Sequence, residues 1–108
     1  MPTDPKTYLQ TLTALYQRLP ETPRRLSRVD LQLAQQWWSR QIPLATVETA
    51  FLLASARRAA RRSQAPPLGP IRSLHYFQPV IEELLHNPPP PSYLAYLRRK
   101  VLLSAPPP

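Results

Sequence analysis

The sequence predicts an all-α fold: a small bundle of about four helices, with a short fifth helix attached by a proline spacer. Three observations predict it. The 108 residues include 16 prolines and one glycine, Gly69, and β-hairpins ordinarily need glycine or asparagine at positive φ. Apolar residues recur at spacings of three and four through successive stretches. Prolines gather at 66–70, 88–91 and 106–108, between those stretches, where they punctuate rather than interrupt them.

The first helix is expected from Asp4 as N-cap, with Pro5 at the first helical position, where a missing N–H costs nothing. Tyr8, Leu9, Leu12, Leu15, Tyr16 and Leu19 form its apolar stripe, and Pro20 and Pro23 end it. Ser27 caps the second helix, with Asp30 three residues on in an approximate capping box. There Leu31, Ala34 and Trp38 share one face and Leu33 and Trp37 lie beside it, so this helix is expected to form the centre of the core. Trp37 is assigned to the core and Trp38 to a partly exposed flank. Base stacking is the other use open to two tryptophans.

Pro43 opens a third helix that runs to about Arg62, with Leu44, Val47, Ala50, Phe51 and Ala54 on its apolar stripe. Residues 63–70 read as a loop. Ser73 then caps a further helix, and Pro79 either kinks it or starts a new segment after one short turn. Tyr76, Val80 or Ile81, and Leu84 are expected to point inward, with His75 half-buried in a structural role. Pro88–Pro91 form a stiff spacer. The last helix, Ser92 to about Ser104, places Leu94, Leu97, Val101 and Leu102 on one side, with Arg98, Arg99 and Lys100 beside them. The organisation expected is a bundle domain over 1–87, the spacer 88–91, and a C-terminal helix with a proline tail over 92–108.

Fourteen Lys and Arg against six Asp and Glu give a net charge of +8. Residues 1–50 carry a net +2 and residues 51–108 a net +6. Arg57, Arg58, Arg61, Arg62 and Arg72 all fall between Glu48 and Glu82, an interval without a carboxylate. Arg57, Arg58, Arg61 and Arg62 share one helical arc by their three- and four-residue spacings. Arg61 and Arg62 also suit the negative end of a helix dipole, which explains them without a ligand. An unneutralised field of this kind attracts polyanions.

Enzymatic arrangements are lacking. His75 and His86 are too far apart to share a helical face, Glu82 and Glu83 point to different sides, and no serine has the glycine context of a nucleophile elbow. With no cysteine, the chain has no disulfide, no thiolate nucleophile and no zinc ribbon. We therefore expect no catalytic residue, no metal site and no cofactor. Met1-Pro2-Thr3-Asp4-Pro5 lacks the basic and apolar regions of a signal peptide. No stretch approaches the roughly 20 apolar residues that span a bilayer, so a soluble, cytoplasmic protein is expected. Tyr93, Tyr96, Arg98, Arg99 and Lys100 mix aromatics with cations, a composition suited to nucleic acid, an acidic membrane surface or a partner's groove. A packed helix with solvated charges is the plain alternative.

Residues 26–50 followed by 71–84 resemble the C-terminal domain of the DnaD family of replication-initiation and primosomal proteins. Leu26-Ser27, Leu31, Leu33, Ala34, Trp37, Val47 and Ala50 fall in that domain's register. Tyr76, with Val80 and Ile81, matches the start of its Tyr-x-x-x-Ile box. Leu84 stands in place of the box's final Trp, Gln41 where glycine is common, and an Arg- and Pro-containing insertion separates the halves. The resemblance implies a small helical DNA-binding domain that works beside replication initiators and helicase loaders, often in mobile elements or phages. It places affinity at Tyr76, Val80 and Ile81 and loosely over 85–103, including Arg98, Arg99 and Lys100.

The expected function is thus a non-enzymatic DNA-binding accessory protein of the replication-initiation, primosomal or helicase-loading kind, with DNA favoured over RNA. Phosphates would meet Arg57, Arg58, Arg61, Arg62 and Arg72, and a second patch of Arg98, Arg99 and Lys100, with Tyr76 and Tyr93 as further contacts. The alternative is a protein–protein adaptor whose C-terminal helix docks on a partner.

Overall fold

A computed structural model describes residues 4–19, 22, 25–62, 69 and 71–103, with the backbone alone at 61, 62, 102 and 103. The described residues form five α-helices and no strand: α1 (Pro5–Gln17), α2 (Arg28–Ser39), α3 (Leu44–Arg62), α4 (Gln78–His86) and α5 (Ser92–Leu97). A 3-10 turn, Leu74–Phe77, leads into α4, and α5 continues as a π-helical stretch over Arg98–Leu103. The expected ending of α1 at Pro20 and Pro23, the loop over 63–68 and Pro70, and the tail from Ser104 onward lie outside the described residues.

Short-range chemistry sets the helix starts. Asp4 accepts the Thr7 backbone N–H at 2.8 Å, and Pro5 opens α1. Thr22 closes its far end, its hydroxyl donating to the carbonyls of Tyr16 at 2.8 Å and Leu19 at 3.2 Å. Ser27 and Asp30 complete a reciprocal capping box on α2, at 3.1 and 3.0 Å. α2 ends on Gln41 at φ 60. There Ile42 N–H reaches the Trp37 carbonyl at 3.0 Å and Gln41 N–H the Trp38 carbonyl at 2.9 Å, the double bond of a Schellman motif. The Pro43 carbonyl accepts the first two N–H bonds of α3.

The core gathers around α3 rather than α2. Residues 49–55 of α3 are buried without interruption, because α1, α4, α5, the 3-10 turn and the π-helical stretch all pack on it. α2 packs on α1 and the 3-10 turn, and its Trp37 indole donates to the Gln78 side chain of α4 at 2.6 Å; it buries Leu33, Ala34 and Trp37 and leaves Leu31 and Trp38 exposed. Tyr16, Phe51 and Phe77 form an aromatic triangle at the centre, with ring centroids 4.8–6.1 Å apart. The Tyr8 hydroxyl donates to the Ile42 carbonyl at 2.8 Å, fastening the start of α1 to the connection between α2 and α3.

Two side-chain expectations are corrected in the segment before α4. Leu74 and Phe77 are buried, whereas Tyr76 and His75 are exposed. In a 3-10 turn residues i and i+3 eclipse, so Leu74 and Phe77 share the inward face. Of the alternatives at Pro79, the second holds: a short turn ends and α4 starts afresh, with proline in its first two positions. Ile81 and Leu84 are buried as expected. Beyond the proline run, α5 lies on α3, and Leu97 joins the same core at 1% exposure, with Tyr93, Leu94 and Val101 packed against it.

Candidate nucleic-acid interface

The basic side chains fall into three groups. The first is tied to carboxylates. Arg57 makes a bidentate pair with Glu83 at 3.1 and 2.6 Å, and Arg98 makes one with Glu48 at 2.7 Å for both contacts. Arg40 makes a third with Glu82, at 2.6 and 3.0 Å. Hydrogen bonds donated to the glutamates are the main reason that Arg40, Arg57 and Arg98 hold their protons more tightly than usual. Hydrogen bonds from Arg40 and Arg57 in turn hold Glu82 and Glu83 below the ordinary carboxylate range. Half-exposed pairs of this kind contribute little stability. Their consequence is electrostatic: each of the three described glutamates is committed to an arginine.

The second group is Arg58, which is 5% exposed. Its guanidinium donates to the Gly69 carbonyl at 2.6 Å and to the Tyr76 hydroxyl at 3.3 Å, and it lies 5.3 Å from the Tyr76 ring centroid. Tyr76 is held edge-on against Phe77 as well, at 5.3 Å. Arg58 extends the stripe Val47, Phe51, Ala54 by one more turn, so its spacing marked it as inward-facing. Arg58 therefore fastens the segment after α3 instead of presenting its charge to solvent, a correction to the expectation of four arginines on one open arc.

The third group is exposed. Arg72 has no carboxylate partner among the described residues. On α5, half-buried Tyr93 stacks on exposed Tyr96 at 6.0 Å with rings 19° apart, and Lys100 Nζ lies 5.8 Å from the Tyr96 ring. Arg99 is exposed beside them. The side chains of Arg61 and Arg62 lie outside the described residues. Arg98 meets α3 at Glu48, and Arg62 ends α3 fourteen residues further on, about 21 Å at 1.5 Å per residue. The two basic regions therefore sit toward opposite ends of α3 and do not form one flank.

Arg25 and Arg28, at the start of α2, are exposed cations outside the expected set. Their signal was available, since Arg28 sits in the first turn of a helix, where the dipole disfavours a cation.

Among the described residues no group of three or more His, Cys, Asp or Glu side chains is placed to hold a metal ion. Nor is any described helix long and apolar enough to cross a membrane. A small apolar recess between α1 and α3 is lined by Leu15, Arg18, Leu19, Glu48, Phe51 and Leu52; Glu48 there is already held by Arg98, leaving no converging set of polar groups. No protein-family model, no curated protein and no solved structure matches this chain.

Proposed function

We propose that this chain is a non-enzymatic, cytoplasmic DNA-binding accessory protein, acting in replication initiation or helicase loading as the DnaD resemblance implies, in a mobile element or phage. One observation carries the binding reading. The net charge is +8, and Glu48, Glu82 and Glu83 are each already paired with an arginine, so Arg72 and Lys100 keep their charge with no ion pair to these glutamates. Arg72 and Lys100 are exposed members of the expected set, while Arg57 and Arg98 are exposed but held by Glu83 and Glu48. Tyr96 supplies an exposed ring beside Lys100, backed by half-buried Tyr93, and is suited to bases or sugars.

The adaptor alternative is weaker for a specific reason. A helix that docks in a partner's groove needs its apolar face free, and Leu97 of α5 is already buried against α3. Titrating the chain against single-stranded DNA, duplex DNA and RNA at two salt concentrations tests the reading. Expected is binding that weakens as salt rises, with DNA preferred over RNA. Absence of binding to all three at low salt would overturn it.

A further inference from the structure

We propose that the end of the bundle where α2 begins is a phosphate-binding pole for a nucleic-acid backbone, built by Arg25, Arg28 and Arg72. The proposal rests on the nucleic-acid reading above and names a site for its principal phosphate contacts. One buried carboxylate assembles the pole. Asp30 Oδ2 accepts the Ser27 backbone N–H at 3.0 Å, closing the turn that carries Arg28, and Asp30 Oδ1 accepts the Leu74 backbone N–H at 2.9 Å. The segment bearing Arg72 is thereby drawn against the turn bearing Arg25 and Arg28, although more than forty residues separate them in sequence.

All three arginines are exposed, and none has a carboxylate partner among the described residues. Asp30 cannot serve as one: it is 1% exposed, and its oxygens are taken by Ser27 and Leu74. Arg28 also stands at the first position of α2, against the preference of the helix dipole. The positive end of the dipole therefore adds to the guanidinium field instead of offsetting it. Asp30 is the acidic residue of this turn, and it is buried; an exposed cation kept at the first helical position against a local rule is expected at functional positions.

The contrast with the tied arginines sharpens the assignment. Arg40, Arg57 and Arg98 meet glutamates and Arg58 meets a carbonyl, while the pole keeps three planar forks facing water. Guanidinium forks match phosphate oxygens two at a time. Contacts to phosphates fix a protein on a strand without reading its bases, so the pole is assigned to backbone recognition irrespective of sequence.

The test compares two charge-matched double variants of the full chain, Arg28→Gln with Arg72→Gln, and Lys6→Gln with Arg40→Gln. Lys6 starts α1 and Arg40 ends α2, both at the opposite end of the bundle, and circular dichroism confirms that each variant folds. Affinity for fluorescein-labelled single-stranded and duplex DNA is read by anisotropy across salt concentrations. Expected for the pole variant is a loss of about tenfold or more at about 0.1 M salt, and a salt slope shallower by about 2. The Lys6/Arg40 variant is expected to lose less than about threefold. Equal losses in the two variants would overturn the pole and leave the nucleic-acid reading standing. No DNA binding by the unmodified chain would remove both. Vesicles of phosphatidylserine and phosphatidylcholine, measured in parallel, distinguish the sources of phosphate: pole-dependent binding to vesicles alone would also overturn the proposal.

Discussion

The Asp30 carboxylate accepts the backbone N–H of Leu74 across 44 positions of sequence, at 2.9 Å, while capping its own helix through Ser27. One side chain thus joins the start of α2 to the turn that precedes α4. Removing it leaves a buried donor without a partner, which costs about 1–3 kcal/mol, and opens a capping box worth about 0.5–2 kcal/mol. Asp30→Ala is therefore expected to lose roughly 3 kcal/mol of stability in urea unfolding. Asp30→Asn keeps one acceptor and is expected to lose less. Equal stability of wild type and Asp30→Ala would disprove this linkage.

Gln41 holds φ 60 at the end of α2, a left-handed conformation that costs a residue with a Cβ about 1–2 kcal/mol. Its backbone bonds do not depend on the side chain. Gln41→Gly is expected to stabilise the protein by about 0.5–1 kcal/mol, after the extra freedom of glycine in the unfolded chain is subtracted. A lowered melting temperature would show that the glutamine side chain contributes something its surroundings do not reveal.

Burial pushes the Tyr8 and Tyr16 phenols up to about 12, with the Asp30 charge adding to the shift at Tyr16. A raised folded pKa means that this contribution to stability is complete below about pH 10, the unfolded value, and is lost as pH rises toward 12. Absorbance at 295 nm is expected to show the two buried phenols ionising only above pH 11 or on unfolding. Ionisation of all five tyrosines together near pH 10 with the fold intact would contradict the packing of α1.

Arg57 and Arg58 are neighbours with opposite fates, one half-exposed on Glu83 and one buried under Tyr76. Arg57→Ala is expected to change stability by less than about 1 kcal/mol, because exposed ion pairs contribute little. Arg58→Ala removes packing and leaves the Gly69 carbonyl without its donor, an expected loss of about 2–3 kcal/mol. Equal losses in chemical denaturation would place Arg58 at the surface.

Much of the fold was legible in the sequence because its signals are local. Asp4-Pro5, Ser27 with Asp30, Pro43 and Pro79 each mark a helix start through atoms no more than a turn away. The stripe on α1 maps directly onto its buried side. Tyr76 was misplaced because its segment turns with a period of three, not 3.6. The candidate interface was much less legible. Glu48 meets Arg98 across 50 positions and Glu83 meets Arg57 across 26, so a stretch free of carboxylates in sequence is not free of them in space. Arg25 and Arg28 were hidden by the same logic, since their half of the chain looked nearly neutral until the fold paired Glu48 with Arg98 and buried Asp30.

The salt dependence of DNA affinity tests the central claim most directly. If exposed guanidinium and ammonium groups neutralise about five phosphates, log K against log salt falls with a slope near −4 to −5 on duplex DNA. A slope indistinguishable from zero, or no measurable affinity even at about 50 mM salt, would contradict it.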